Sequence, residues 1–207
     1  MNLDLLTLTQ WLSPAFPLGS FAYSHGLEYA VEDGQVTDSA GLERWITDVL
    51  EFGAGHVDAI LLSQSMAGQD LADVARAMAA SRERLIETEA QGRAFADTVN
   101  GIAYFDLPHA PLPVVVGMAA RRLSLTSEEV VSLYLHAFAS NLVSVGVRFV
   151  PLGQTEGQKT LAALHPTIHQ VARKAVAAQV SEITSAAFAG DISAMRHETM
   201  EVRIFKT

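Results

Sequence analysis

The segment from Thr126 to Val150 constrains the fold of this chain more than any other. It opens with a capping box, in which the side chains of Thr126 and Glu129 satisfy free backbone N–H groups at a helix start. The residues that follow are apolar on nearly every side of a helix, with Tyr134 and Leu142 facing inward in any register. A helix of this kind has to be buried, so the segment predicts the central helix of a bundle.

Apolar residues spaced three and four apart predict further helices in the rest of the chain. Either Asp38 or Ser39 is a suitable N-cap for the first of them. The predicted helices are one from this cap to Ile60, one from Leu85 to about Gly101, one from His165 to Gly190, and a short one over 191–196. An ordered loop is expected from Tyr104 to Pro113, where prolines cluster.

The last segment, 201–205, differs from the helices because polar and apolar residues alternate along it. This period of two suits an extended strand or tail. A helical body offers no sheet edge, so we expect the tail to be either frayed or docked on a partner. The fold class is therefore all-α: a single-domain helical bundle over residues 1–207 with an extended C-terminal tail.

Composition excludes several classes of function. The chain has no cysteine, which excludes thiolate catalysis and cysteine zinc sites. Its formal net charge is −9, so we expect no nucleic-acid partner. The longest apolar candidate for a membrane span, Ala110–Ala120, is short and holds two prolines, and the N-terminus with Asp4 makes a poor signal peptide. Cytoplasmic localisation without a membrane partner is expected.

The chain shows no recognisable catalytic motif. The stretch from Gly153 to Thr160 has the composition of a P-loop, but its glycine spacing is wrong, and no G-x-S-x-G sequence occurs. Glu87 with Glu89 and Arg82 with Arg84 are interpreted as solvated helix faces. We therefore expect a binding protein and no enzyme.

His165 and His169 are the only weak candidates for a metal site. Their spacing of four can place two imidazoles on one metal ion. No carboxylate at ligand spacing and no third histidine accompanies them in the sequence, so a capping and a surface histidine are favoured.

In three segments, 14–28, 142–158 and 195–207, core packing alone does not account for the residues present. In the second, a buried helix runs into a polar, glycine-punctuated turn rich in amides, which predicts a recognition surface.

In these segments the sequence resembles the urease accessory proteins of the F type, the helical scaffold of a nickel-delivery complex. The resemblance rests on WLSPAFPLGSFAYSHGLE at 11–28, LPVVVG at 112–117, LVSVGVRFVPLGQTEGQ at 142–158 and MRHETMEVRIFKT at 195–207. It implies a homodimer that binds the D-type (or H-type) accessory protein and recruits the G-type GTPase. That complex would dock on apo-urease and insert nickel at a carbamylated lysine there. Nickel and GTP would belong to the partner complex, and this chain would bind no cofactor of its own.

The resemblance also assigns residues to surfaces. A dimer-facing or GTPase-facing surface would include Arg148, Gln154, Gly157 and Gln158. Residues that would order on the D-type partner are Arg196, His197, Glu198, Arg203 and Phe205. The N-terminal motif, with a structural or a contact role, comprises Phe21, Ser24, Gly26 and Glu28. The ending 204–207 departs from the family's usual Arg-Ser close, since Lys206 keeps the charge but lacks the bidentate fork of Arg.

Two alternatives to an adaptor remain open. An exposed arginine such as Arg148 could regulate hydrolysis by the GTPase partner. Alternatively, His165 and His169, or histidines that meet across a dimer, could bind nickel directly.

Overall fold

The computed structural model describes residues 2–103 and 105–206, and Met1, Tyr104 and Thr207 lie outside it. Over the described residues the chain is all-α and contains no strand, which confirms the predicted fold class. The helices are α1 (Leu3–Trp11), α2 (Leu27–Glu32), α3 (Ser39–Phe52), α4 (Ala54–Met66), α5 (Ala72–Ala77), α6 (Arg82–Ile102), α7 (Leu112–Ala120), α8 (Ser127–Phe149), α9 (Gln154–Ala163), α10 (His165–Ala177) and α11 (Phe188–His197). Short 3-10 turns lie at Ser20–Ala22 and Val180–Glu182.

The predicted central helix is α8. Its capping box is complete, since the Glu129 N–H donates to the Thr126 hydroxyl at 3.2 Å and the Thr126 N–H donates to the Glu129 carboxylate at 2.7 Å. By length and composition α8 could cross a membrane, but 50% of its most apolar window is buried inside the protein. Its contacts with α4, α9 and α10 are those of a core helix.

The core is built around α4, which contacts α3, α7, α8 and α10. Ile60 and Leu62 on α4 have no exposed surface, and neither does Val114 on α7. Pro113 occupies the first turn of α7, where a missing N–H is harmless. The loop expected to reach Pro113 therefore ends at Pro111, and α7 was not predicted from the sequence.

The helix predicted from Asp38 to Ile60 is wrong, because the chain breaks at Gly53 into α3 and α4. At the break, the Phe52 carbonyl accepts the N–H groups of Ala186 at 2.7 Å and Ala187 at 3.2 Å. A carbonyl used in this way cannot also accept the regular bond within a continuous helix. The break between α3 and α4 is therefore accompanied by hydrogen bonds to the distant segment 186–187.

The helix predicted from His165 to Gly190 is also too long, since α10 ends at Ala177 and Gly190 lies within α11. Ala178 is extended, and its carbonyl accepts a hydrogen bond from the Gln64 side chain on α4 at 2.6 Å. That tertiary bond takes the place of the next helical turn.

The C-terminal tail, defined here as residues 199–206, was expected to be frayed or docked on a partner, but in this structure it packs on the chain itself. Phe205 is only 4% exposed, and the N–H of Lys206 donates to the Ala22 carbonyl at 2.7 Å. Val202 and Ile204 face outward and are 81% and 77% exposed. The alternation of inward and outward residues is therefore present, but the tail is docked on the chain's own helices.

We expect Gly92→Ala to lower the free energy of unfolding by about 1–3 kcal/mol. A β-carbon at Gly92 would overlap the Ala110 carbonyl oxygen and lie 2.8 Å from the Leu112 nitrogen, so α6 would be pushed away from the segment that starts α7. Urea unfolding followed by circular dichroism measures the change.

Gly101→Ala is the matched control in the same helix. No atom of residues 2–103 or 105–206 lies within 4 Å of a β-carbon built at Gly101, its immediate chain neighbours and own helix backbone aside. There alanine should be neutral or stabilise by roughly 0.5–1 kcal/mol through its higher helix propensity. Equal effects at both positions would show that close packing at Gly92 is not the cause.

Candidate partner-binding surfaces and buried charge clusters

A cavity of about 490 Å³ lies between the N-terminal segment and helices α8 and α9. It is lined by Phe21 from the N-terminal motif and by Arg148, Gln154 and Gln158 from the predicted recognition surface. The structure thus brings together two segments that are far apart in sequence. The volume lies in the range of about 300–1,000 Å³ that is usual for binding pockets.

The polar turn predicted after the buried helix was wrong in extent, because most of that segment is helical. Only the residues between Phe149 and Gln154 form a turn, after which α9 begins. Gln154 and Gln158 are exposed at the cavity, while Gly157 is buried with its α-carbon facing Val147. The amide side chains therefore form a surface, and the glycine allows α9 to approach α8.

Part of the cavity lining is formed by charged side chains from α4 and α6 and by Tyr134 from α8. Arg84 pairs with Asp58 at 2.6 Å and lies 3.6 Å from Glu87. The Tyr134 hydroxyl donates to Asp58 at 2.7 Å. His25 from the N-terminal segment lies 2.9 Å from Glu87. This buried charge cluster ties three helices and the N-terminal segment to one another.

Burial disfavours the charged forms of Arg84 and Glu87, but the opposite charges beside them have the larger total effect on their pKa values. Burial by itself would lower the pKa of Arg84, yet the Asp58 and Glu87 carboxylates raise it above its usual value. Burial by itself would raise the pKa of Glu87, yet His25 and Arg84 lower it. Both groups are therefore charged at neutral pH. Burial, followed by the Asp58 charge, raises the pKa of Tyr134 well above its usual value, so its hydroxyl stays a donor.

The interpretation of Arg84 and Glu87 as solvated residues was wrong. The side chain of Arg84 is 11% exposed and that of Glu87 is 2% exposed. A sequence signal exists for this, because Glu83, Glu87 and Gln91 recur every four residues along α6, and all three are buried. This spacing predicts that the three side chains lie on one face of α6, and the structure shows that this face is buried.

A second cluster joins the tail to the helices. His197 on α11 has no exposed surface. Its Nε2 lies 3.0 Å from Glu28 on α2, and its Nδ1 lies 2.7 Å from Glu83 on α6. Each ring nitrogen of His197 therefore faces a different carboxylate. Arg203 also pairs with Glu83, so the cluster joins α2, α6, α11 and the tail.

Glu28 also binds the tail backbone. The N–H groups of Ile204 and Phe205 donate to its two oxygens at 2.8 Å and 3.0 Å. The Phe205 ring packs against Phe149 with centroids 5.4 Å apart, and the Arg148 guanidinium lies 5.9 Å from the same ring. The tail is thereby connected to the rim of the cavity.

Most of the N-terminal motif has a structural role. Ser24 is buried and its hydroxyl accepts the Glu28 N–H at 3.4 Å. Gly26 has φ +80°, and a β-carbon there would lie 2.8 Å from the α-carbon of Ala194, so only glycine lets α11 approach so closely. Phe21 differs from these residues because it is 65% exposed.

The remaining tail residues differ in accessibility. Glu198 caps α6 by accepting the Arg82 N–H at 2.8 Å. Arg196 is exposed on α11. His197 cannot contact a partner unless α11 moves, because its ring is enclosed.

The two histidines considered for a metal site are exposed on α10. The His165 ring lies 5.5 Å from that of His136, whose pKa is lowered by burial and by His165. His169 lies 3.5 Å from Glu128. Across residues 2–103 and 105–206, no group of three or more His, Asp or Glu side chains is placed to hold a metal ion.

Comparisons with known proteins agree with the resemblance seen in the sequence. The sequence model of the UreF family matches residues 36–165. A urease accessory protein UreF from Cereibacter sphaeroides strain KD131 is 61% identical over 210 residues, covering 100% of both chains. The Roseobacter denitrificans UreF is 49% identical and covers 98% of this chain and 93% of its own. The Ruegeria pomeroyi UreF is 46% identical and covers 99% of this chain and 97% of its own. The chain therefore belongs to the UreF family of urease accessory proteins.

Proposed function

We propose that this protein is a non-enzymatic adaptor in cytoplasmic urease maturation. As a homodimer it brings the D-type accessory protein and the nickel-carrying G-type GTPase together on apo-urease. The observation that carries this proposal is a set of large apolar side chains left exposed on α11 and the tail: Phe188, Ile192, Met195, Val202 and Ile204, which are 72%, 51%, 51%, 81% and 77% exposed.

The arrangement of these residues favours a protein partner. Phe188, Ile192 and Met195 follow at intervals of four and three, so they lie on one face of α11. Val202 and Ile204 lie on the outward side of a tail whose inward residues are fixed by Glu28 and Glu83. A rigidly held apolar surface loses little conformational entropy on binding. We assign this apolar surface to the D-type partner.

The rim of the cavity suits a second, polar contact. Arg148, Gln154 and Gln158 are exposed there, and no described Asp or Glu lies within ion-pair distance of Arg148. A cation without a carboxylate partner, on a chain of net charge −9, favours an acidic group on the other protein. We assign this rim to the GTPase, which would supply the nucleotide site and carry nickel as cargo.

The test is binding of the double variant Val202→Asp/Ile204→Asp to the D-type accessory protein. Placing two carboxylates in an apolar interface should weaken binding at least about tenfold, since each buried unpaired charge is strongly disfavoured. Ile102→Asp, at a 58% exposed position at the end of α6, is the control and should bind like the wild type. Titration calorimetry measures both. Wild-type affinity of the double variant would refute the assignment of the tail.

The exposure of Arg148 also favours a second candidate function, regulation of GTP hydrolysis. An arginine that stabilises transition-state charge can raise turnover by about 10³–10⁵-fold. If Arg148 acts so, Arg148→Ala slows GTP turnover per assembled complex while leaving assembly intact. Reduced assembly with unchanged turnover per complex would instead support a binding role. The described residues contain no observation that favours the direct nickel-binding alternative.

A further inference from the structure

We infer that the groove holding the tail is a peptide-binding site for an Arg-x-Phe segment, which the chain's own C-terminus occupies in the isolated protein. We call it the tail site and define it by Glu28, Glu83, Phe149 and the Ala22 carbonyl. The inference goes beyond the adaptor function and does not depend on it.

The tail site binds the backbone of the tail through consecutive N–H groups. Glu28 accepts the consecutive N–H groups of Ile204 and Phe205 at 2.8 Å and 3.0 Å, and the Ala22 carbonyl accepts that of Lys206 at 2.7 Å. Three successive backbone donors are thus satisfied by groups far away in sequence. A carboxylate that accepts backbone N–H groups forms charge-assisted bonds, which are stronger than neutral ones.

Two side chains give the site its sequence preference. Arg203 pairs with Glu83, and Phe205 is 4% exposed with its ring against Phe149. Ile204 between them faces outward, so its identity does not matter to the site. The pattern selected is therefore a cation, any residue, and an aromatic ring.

The tail site does not need the tail in order to exist. Glu28 lies on α2 and Glu83 on α6, and His197 on α11 lies between their carboxylates. The ring nitrogens of His197 still contact both carboxylates when Arg203 leaves. The groups that recognise the segment are therefore in place beforehand, as pre-organised binding requires.

A tethered tail has an effective concentration of the order of millimolar, so a free segment competes poorly with it. The site should accept a segment from another molecule only after its own tail is weakened. The full-length double variant Arg203→Ala/Phe205→Ala provides this condition without changing any residue of the site.

The experiment measures fluorescence anisotropy of a labelled peptide with the sequence of residues 199–206, blocked at both ends. We expect the double variant to bind this peptide at least about tenfold more tightly than the wild type, whose tail competes. A peptide with alanine in place of its Arg and Phe should bind at least about tenfold more weakly, and adding Glu28→Gln to the variant should have a similar effect. Equal binding by variant and wild type, or equal binding of both peptides, would overturn the inference.

A second measurement covers the case in which the double variant fails to fold. Millimolar peptide is added to the wild type, and hydrogen exchange of the Ile204 and Phe205 amides is followed. Displacement of the tail should lower their protection at least about tenfold, and a scrambled peptide should leave it unchanged. Unchanged protection with the true peptide would refute the tail site. Neither experiment contains an accessory partner, so failure here is distinct from failure of the adaptor proposal.

Discussion

Arg84→Met is expected to lower the free energy of unfolding by about 3–5 kcal/mol, the usual effect of removing one partner from a buried ion pair. Methionine keeps most of the apolar stem of Arg84 but leaves Asp58 and Glu87 without their shared cation. Both carboxylates are nearly enclosed, with side chains 6% and 2% exposed, so the loss of the guanidinium is not screened as it would be at the surface. Urea unfolding followed by far-UV circular dichroism measures the loss.

Arg76→Met is a matched control for this prediction. Arg76 also has two carboxylate partners, Asp73 and Glu89, both at 2.8 Å, but Asp73 is 98% exposed and Glu89 is 46% exposed. Surface pairs contribute roughly 0–1 kcal/mol, so this variant should be nearly as stable as the wild type. Similar losses in both variants would show that burial does not set the energy of the cluster. Adding Asp58→Asn to Arg84→Met should recover part of the stability.

His197→Ala is expected to have a comparable effect, again about 3–5 kcal/mol, because it removes a ring that has no exposed surface and that contacts the carboxylates of both Glu28 and Glu83. Glu28 and Glu83 would then face each other across a cavity with only Arg203 to balance them. The tail should loosen at the same time. Hydrogen exchange of the Ile204 and Phe205 amides, which donate to Glu28, should therefore speed up together with the fall in stability.

His109→Ala provides the comparison for this variant. His109 also pairs with a carboxylate, Asp97, at 2.8 Å, but the two side chains are 54% and 61% exposed. Its loss should change stability by less than about 1 kcal/mol and leave the tail amides protected. A His197→Ala variant with wild-type stability and a protected tail would contradict the assigned role of the ring.

Local signals in the sequence were sufficient for the helices whose ends are set locally. Thr126 and Asp38 cap α8 and α3 as predicted, because their partners lie three residues away. The break at Gly53 and the early end of α10 could not be predicted in this way. The first accompanies a bond between Phe52 and Ala186, and the second a bond between Gln64 and Ala178, which are far apart in the chain.

The candidate site was predictable only in part. Resemblance to a family identified Arg148, Gln154 and Gln158, and the structure places them on one cavity. The buried charge cluster was missed because Arg84 and Asp58 lie 26 residues apart, and only the fold shows that they are partners. Spacing within a single helix gives no signal for an ion pair between two different helices.

For the tail as well, local residue pattern predicted part of the structure, and contacts with residues distant in sequence determine the rest. Alternation along residues 201–205 correctly indicated that this segment is not helical, although its backbone bends at 201, 202, 204 and 205. It could not indicate that Phe205 is buried, because the anchor Glu28 lies 177 residues earlier in the chain.

That distance has a consequence for biosynthesis. Glu28 leaves the ribosome long before Ile204, its partner 176 residues later, has been added. At about 5–20 residues per second this delay is roughly 9–35 s. For most of that time the nascent polypeptide carries Glu28 and Glu83 without His197 and Arg203, which contact them in the folded protein. Closure of this region is therefore a late step, which follows the synthesis of Ile204 however early the helices around it form.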